Sequence, residues 1–279
     1  MNQLTVGLML PTVIDPDART AAARVLDAAR LAERMGFDGV YVGDHLVHPR
    51  SLLESVVCLT AIAAVTERVT IGPCVMLVAL RPTLLLTRQL ATLAALAPGR
   101  LRVGVGVGGE YPEEFAAAGV ALLDRGRRTE EAVRALRSAV DAPFVFGGWS
   151  DAALRRAARL GDGWIGYLLA PGSFARRHAQ LLDERAGAAP FTTGMLLPVS
   201  FDSPTRAAGE WATVTANDVH VPEHLFVAGP VDAVIEQLHS YWARGCTDFV
   251  LAPTDQGAGF VEQVELLAAD VLPEMRSFT

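Results

Sequence analysis

The chain contains no lysine: all 24 of its basic residues are arginine. Schiff-base aldolases, pyridoxal-phosphate enzymes and Walker-type nucleotide sites each depend on a lysine amine, so the three classes are excluded together. Cysteine is scarce. Cys58, Cys74 and Cys246 lie far apart, are odd in number and form no C-x-x-C, so they read as reduced, buried small hydrophobes. No uninterrupted apolar run approaches the roughly 18 residues of a membrane span, and Met1-Asn2-Gln3 has no basic leader character. A cytoplasmic protein without a membrane partner is expected. No basic stripe occurs either: the charges are scattered and sum to −7, which argues against nucleic acid as a partner. A G-x-S-x-G elbow is missing too, which leaves an α/β-hydrolase without its nucleophile.

What is present is apolar. Hydrophobic residues make up 51% of 279 positions, high enough that much of the chain must be buried, as in parallel strands covered on both faces. Strand-like runs fall at 4–11, 39–45, 69–78, 100–108, 143–148, 163–169, 192–201 and 248–254. Between them lie segments with apolar residues three and four apart: 19–36, 51–67, 82–99, 122–140, 150–160, 172–186, 231–244 and 259–275, with a further one at 204–216. Ser51 and Glu54 have the spacing of a capping box for the 51–67 helix. Eight strands alternating with helices over this length predict an α/β fold, a (β/α)8 barrel in one domain spanning 1–279, although an open doubly wound sheet uses the same units.

The stretch 100–115, "RLRVGVGVGGEYPEEF", contains Gly104-x-Gly106-x-x-Gly109. A dinucleotide fingerprint belongs in the first βα unit with an acidic residue about twenty positions on. Here three units precede it and Asp124 fits the offset only loosely, so a strand is the better reading. Val103, Val105 and Val107 then face the helices, while Gly104, Gly106 and Gly108 face the barrel interior and leave a slot. Either large neighbours fill that slot or a flat ligand lies at its upper end.

Polar residues gather where the strands end, the catalytic rim of a barrel. Asp44-His45 ends the second strand: His45 can exchange a proton near neutral pH with Asp44 orienting its ring, or Asp44 simply caps the next helix. Gly147, Gly148, Trp149 and Ser150 open the helix after the fifth strand, where Ser150 is a good N-cap and free N–H groups suit a phosphate. His220 and His224 match H-x-x-E-H, but Pro222 between them breaks the helix a zinc protease needs, and no metal site is expected.

Segments 32–46, 64–109, 127–131 ("RRTEE"), 146–164 ("FGGWSDAALRRAARLGDGW") and 226–253 together resemble the luciferase-like monooxygenase family of flavin- and deazaflavin-dependent barrels, in order along nearly the whole chain. The resemblance implies an isoalloxazine or deazaflavin ring at the rim, with a phosphate tail at the helix near Gly148 and Ser150. It implies that Asp44 and His45 are the catalytic pair and that Cys74-Val75 is a non-prolyl cis peptide backing the ring. Gly106, Gly108 and Gly109 would then stand beside the cofactor. Two departures stand out. The family's longer excursion before the fifth strand is reduced to a few residues around Val140–Ala142, and Gly109 precedes Glu110 where some members place glutamate directly after the glycine strand.

"GDH" and "GPCV" resemble deazaflavin members, so F420 is the expected cofactor and hydride transfer to or from a small, largely apolar substrate the expected reaction. The alternatives are an FMN-dependent monooxygenase fed by a partner reductase and a non-catalytic flavin-binding protein. A homodimer through the apolar 51–97 helices is also expected.

Overall fold

A computed structural model describes residues 4–15, 17–185, 189–216 and 221–278. Nine parallel strands run through it: β1 (Thr5–Met9), β2 (Gly39–Val42), β3 (Thr70–Pro73), β4 (Val103–Val105), β5 (Phe144–Gly147), β6 (Gly163–Tyr167), β7 (Thr192–Ser200), β8 (Val227–Ala228) and β9 (Asp248–Pro253). They pair in the order β3-β2-β1-β9-β7-β6-β5-β4, with β8 added on β7. The barrel closes between β3 and β4: the Ile71 N–H donates to Arg100 O (2.8 Å) and the Arg102 N–H to Ile71 O (2.9 Å), then the Met76 N–H to Gly104 O (2.8 Å) and the Gly106 N–H to Met76 O (2.8 Å). Between those two clasps β3 bulges away, and the Cys74–Val75 peptide there is cis. Eight strands thus form the expected barrel. β8, two residues long, is an addition that two-residue periodicity could not reveal.

The helices pack outside as the apolar spacing requires. Val103 and Val105 join the large core that includes Leu86, Leu90, Val133 and Leu136 from the surrounding helices. The helix predicted from Ser51 begins instead at Ser55, with the Glu54 carboxylate accepting from the Val57 N–H (2.8 Å), so Glu54 is the cap rather than half of a capping box. The segment after β7 forms the helix Pro204–Thr215, and a short helix, Pro112–Ala117, follows β4. Only 138–143 separate the helix Arg125–Arg137 from β5, the shortened excursion expected. No described helix is long and apolar enough to cross a membrane.

The barrel interior is layered. At the N-terminal ends of the strands Arg102 donates to the Tyr41 hydroxyl (3.0 Å) and pairs with Asp248, which also accepts from Thr5 (2.8 Å). Gly7 and Gly194 make room for this plug: a Cβ on them would come within 2.4 Å of the Tyr41 ring and of the Asp248 carbonyl respectively. Above it, Cys74, Val145, Ile165 and Val250 form an apolar layer. Filling the lower and middle barrel leaves the C-terminal mouth as the place for chemistry.

Candidate active site

A cavity of about 400 Å³ opens at that mouth, a size suited to a small-molecule site. One wall comes from β3, β4 and β5: Cys74, Val75, Gly106, Val107, Gly108, Gly147 and Gly148. The opposite wall is made of side chains, Met9, Tyr167, Leu196 and Trp211. His45, His48, Glu110 and Tyr111 stand at its rim.

The glycine wall answers the question of the slot at two heights. Low down the slot is full: a Cβ on Gly104 would lie 2.3 Å from the Pro73 carbonyl, and one on Gly106 would lie 2.5 Å from Val75 Cγ2. Gly147 faces the same Val75, at 3.0 Å. Higher up, Gly108 borders the cavity with its backbone, while a Cβ on it would turn toward Phe115 Cζ (3.0 Å) and Leu77 Cδ2 (3.2 Å). The alternation itself ends sooner than predicted, because β4 stops at Val105. Val107 therefore lines the cavity instead of packing under the helices, and Gly108 turns the chain with φ +66°, a backbone that L side chains rarely adopt.

Asp44 and His45 are both cavity residues, but they are not partners. Asp44 is 4% exposed, and its carboxylate accepts from Arg81 Nη1 (2.8 Å) and Nη2 (2.6 Å), Ser55 Oγ (2.7 Å) and the Leu77 N–H (2.8 Å). Arg81 also donates to Glu54 (3.0 Å). Burial works to lower the Arg81 pKa, and Asp44 with Glu54 more than offsets it, so the guanidinium is held charged. The expectation that Asp44 orients the His45 ring is corrected: its oxygens are spent in tying β2 to the two segments that follow.

The group that meets His45 is Glu114, which the sequence reading missed. It is fully buried on the Pro112–Ala117 helix, its two oxygens lie 3.3 and 3.4 Å from His45 Nδ1, and it accepts from the Leu46 N–H (3.2 Å). Those ring contacts are longer than a strong hydrogen bond. The available signal was the pair Glu113-Glu114 after Pro112: Pro112 opens a helix turn, Glu113 points to solvent and Glu114 inward. His48 and Tyr111 pack on His45, with ring centroids 5.2 and 5.0 Å away.

At the start of the helix Asp151–Leu160, the Ser150 hydroxyl accepts from the Ala153 N–H (3.2 Å), the cap predicted. Gly148 has φ +111°, and its carbonyl accepts from Trp164 Nε1 (2.6 Å). Asp151 is paired with Arg177 (2.7 Å), which tempers its opposition to an anion at this helix start. Trp149 is 56% exposed at the cavity edge. Ser150 and Gly109 stand back from the cavity lining: a Cβ on Gly109 would face Arg125 Nε at 3.3 Å. Among the described residues no cluster of three or more His, Cys, Asp or Glu could hold a metal ion, and His220 lies outside the described residues.

Comparison with known proteins follows this geometry. An uncharacterised protein of Mycobacterium tuberculosis is 27% identical over 194 residues, covering 53% of this chain and 67% of its own. The F420-dependent glucose-6-phosphate dehydrogenase of Nakamurella multipartita is 31% identical over 178 residues, and the match spans about half of each protein, 51% in both cases. Among solved structures, an F420-dependent secondary alcohol dehydrogenase in complex with an F420–acetone adduct aligns with a TM-score of 0.81 at 18% identity, over 99% of this chain and 100% of that one. The oxygenating constituent of 3,6-diketocamphane monooxygenase from Pseudomonas putida, in complex with FMN, aligns with a TM-score of 0.78 at 15% identity, over 98% of each. At those identities the likeness establishes the fold. The model of the luciferase-like monooxygenase family matches residues 4–245, most of the chain, and the protein belongs to that family.

Proposed function

We propose that the protein is an oxidoreductase that holds coenzyme F420 against the glycine wall and passes a hydride between it and a small, largely apolar substrate. The observation that carries this reading is the meeting, in one cavity, of a glycine-rich wall and His45, whose ring is backed by Glu114. The residues present fit a planar ring: Val75 fills the slot beside Gly106 and Gly147, and Gly106, Gly108, Gly147 and Gly148 border the cavity without side chains. Cys74 and Val75 would back the ring, while Gly147, Gly148 and Trp149, with the N-terminal end of the following helix, would hold its phosphate tail. When bound, the deazaflavin supplies a two-electron hydride carrier. His45, with Nδ1 turned to Glu114, keeps Nε2 to exchange a proton with the ligand, and Glu114 holds the ring and balances its charge.

The names of the F420-dependent relatives support this cofactor. The FMN-bound neighbour supports a second reading, an FMN-dependent monooxygenase supplied by a separate reductase. Fluorescence titrations with F420 and with FMN decide between them: tighter binding of F420 is expected, and binding of FMN alone overturns the preference.

The same reading includes a homodimer in the reducing cytoplasm. Its support is the helix Ser55–Val65, which carries no charged residue on any face, with Val57, Leu84, Leu85 and Leu96 left exposed beside it, and three free, buried cysteines. Leu84→Glu should shift the protein to monomer in sedimentation.

A further inference from the structure

The side-chain wall of the cavity is apolar except for one hydroxyl. Tyr167 closes β6, and its phenol oxygen accepts a hydrogen bond from the Trp211 indole N–H (3.0 Å). That contact uses a lone pair, and among the described residues the O–H hydrogen makes no hydrogen bond of its own. Burial pushes the Tyr167 pKa upward, so the group stays a neutral donor. A tyrosine hydroxyl facing a cavity with its hydrogen unspent is a group waiting for a ligand. The backbone agrees: Leu168, the next residue, has φ +49°, a left-handed conformation that is unfavourable for a non-glycine residue and is tolerated where a site dictates it. Trp211 sits on Pro204–Thr215, a helix roofing the cavity, so its indole fixes the phenol from above.

We propose that Tyr167 donates a hydrogen bond to an oxygen of the substrate, which makes the natural substrate a carbonyl- or hydroxyl-bearing molecule on an apolar frame, with Trp211 as the residue that aims the donor. The assignment rests on the reading of this cavity as the place where substrate meets cofactor. Leu196 and Met9, which line the same cavity, would pack on the apolar frame, and the Tyr167 hydroxyl would set its orientation.

The test uses two probes of one shape, cyclohexanone and methylenecyclohexane, titrated by NMR into the full chain with and without the cofactor it binds. The wild-type protein should favour the ketone by about fivefold to tenfold, the size of one neutral hydrogen bond. Tyr167→Phe should bring that ratio to about one while leaving the hydrocarbon's affinity unchanged, and Trp211→Phe should give an intermediate ratio. A wild-type ratio near one overturns the proposal without recourse to any variant, and so does an undiminished ratio in Tyr167→Phe. Failure of both F420 and FMN to bind would sink the cofactor reading instead, because the ketone-to-hydrocarbon ratio is measured without turnover.

Discussion

Two buried carboxylates stand at the mouth of this barrel, Asp44 just after β2 and Glu114 just after β4, and their surroundings differ. Asp44 accepts four hydrogen bonds, two from the buried Arg81 and one each from Ser55 and Leu77. Glu114 has one backbone N–H and the loose approach of His45. The four contacts, two of them from a buried and fixed cation, make Asp44 an anchor of the fold around it. Glu114 turns its carboxylate to the His45 ring, with the Leu46 N–H as its other contact. The difference teaches that proximity in sequence misleads here: the residue next to His45 builds the site, and the residue 69 positions away completes it.

The largest effect should come from Asp44→Ala. Removing one member of a buried ion pair strands the other, at about 3–5 kcal/mol. Thermal unfolding should drop by roughly 10 °C, and pairing Asp44→Leu with Arg81→Met should recover much of the loss. A shift of only about a degree would mean that Glu54 alone satisfies Arg81 and that the contrast is overstated. Next, His45→Ala should lower turnover by about a hundredfold or more while cofactor affinity changes little. Unchanged turnover would remove His45, and Glu114 with it, from the chemistry.

Glu114→Gln is subtler. Glutamine keeps the volume and can still accept from the Leu46 N–H, but it cannot balance an imidazolium. Turnover should fall by about tenfold, with stability within about 1 kcal/mol of wild type. Equal losses of melting temperature in Asp44→Asn and Glu114→Gln would erase the distinction between the two carboxylates.

The same pair shows what was legible in the sequence. Asp44 and His45 were visible because they follow an apolar strand, and the (β/α)8 count was visible because period-2 runs alternate with helical ones. Glu114 was hidden because inward and outward positions in "YPEEF" depend on a single short helix, Pro112–Ala117, too brief for periodicity to show. Gly104 and Gly106 keep the predicted alternation and Gly108 departs from it, and the meeting of Gly106 with Val75 depends on how β3 bulges against β4, a register that neither strand encodes alone. The partner of Asp44, Arg81, lies 37 residues on, and only the closed barrel brings them together.

The smallest predicted effect sharpens the comparison on the histidine side. His48 stacks near His45, but its Nδ1 accepts from the Arg50 N–H (3.0 Å), so it is spent as Asp44 is. Burial lowers its pKa below the ordinary 6.5 and His45 adds to the depression, against backbone hydrogen bonds at Arg50 and Thr215 and the charge of Glu110. A base whose folded pKa is depressed resists protonation only in the folded state. The stability it contributes is therefore complete above about pH 6.5 and is lost as pH falls through that value toward the folded pKa. Melting temperatures of wild type and His48→Phe, taken from about pH 7.5 down to about pH 5, should diverge in that sense, with wild type losing more. A difference between the two that stays constant with pH would show that His48 titrates alike in both states.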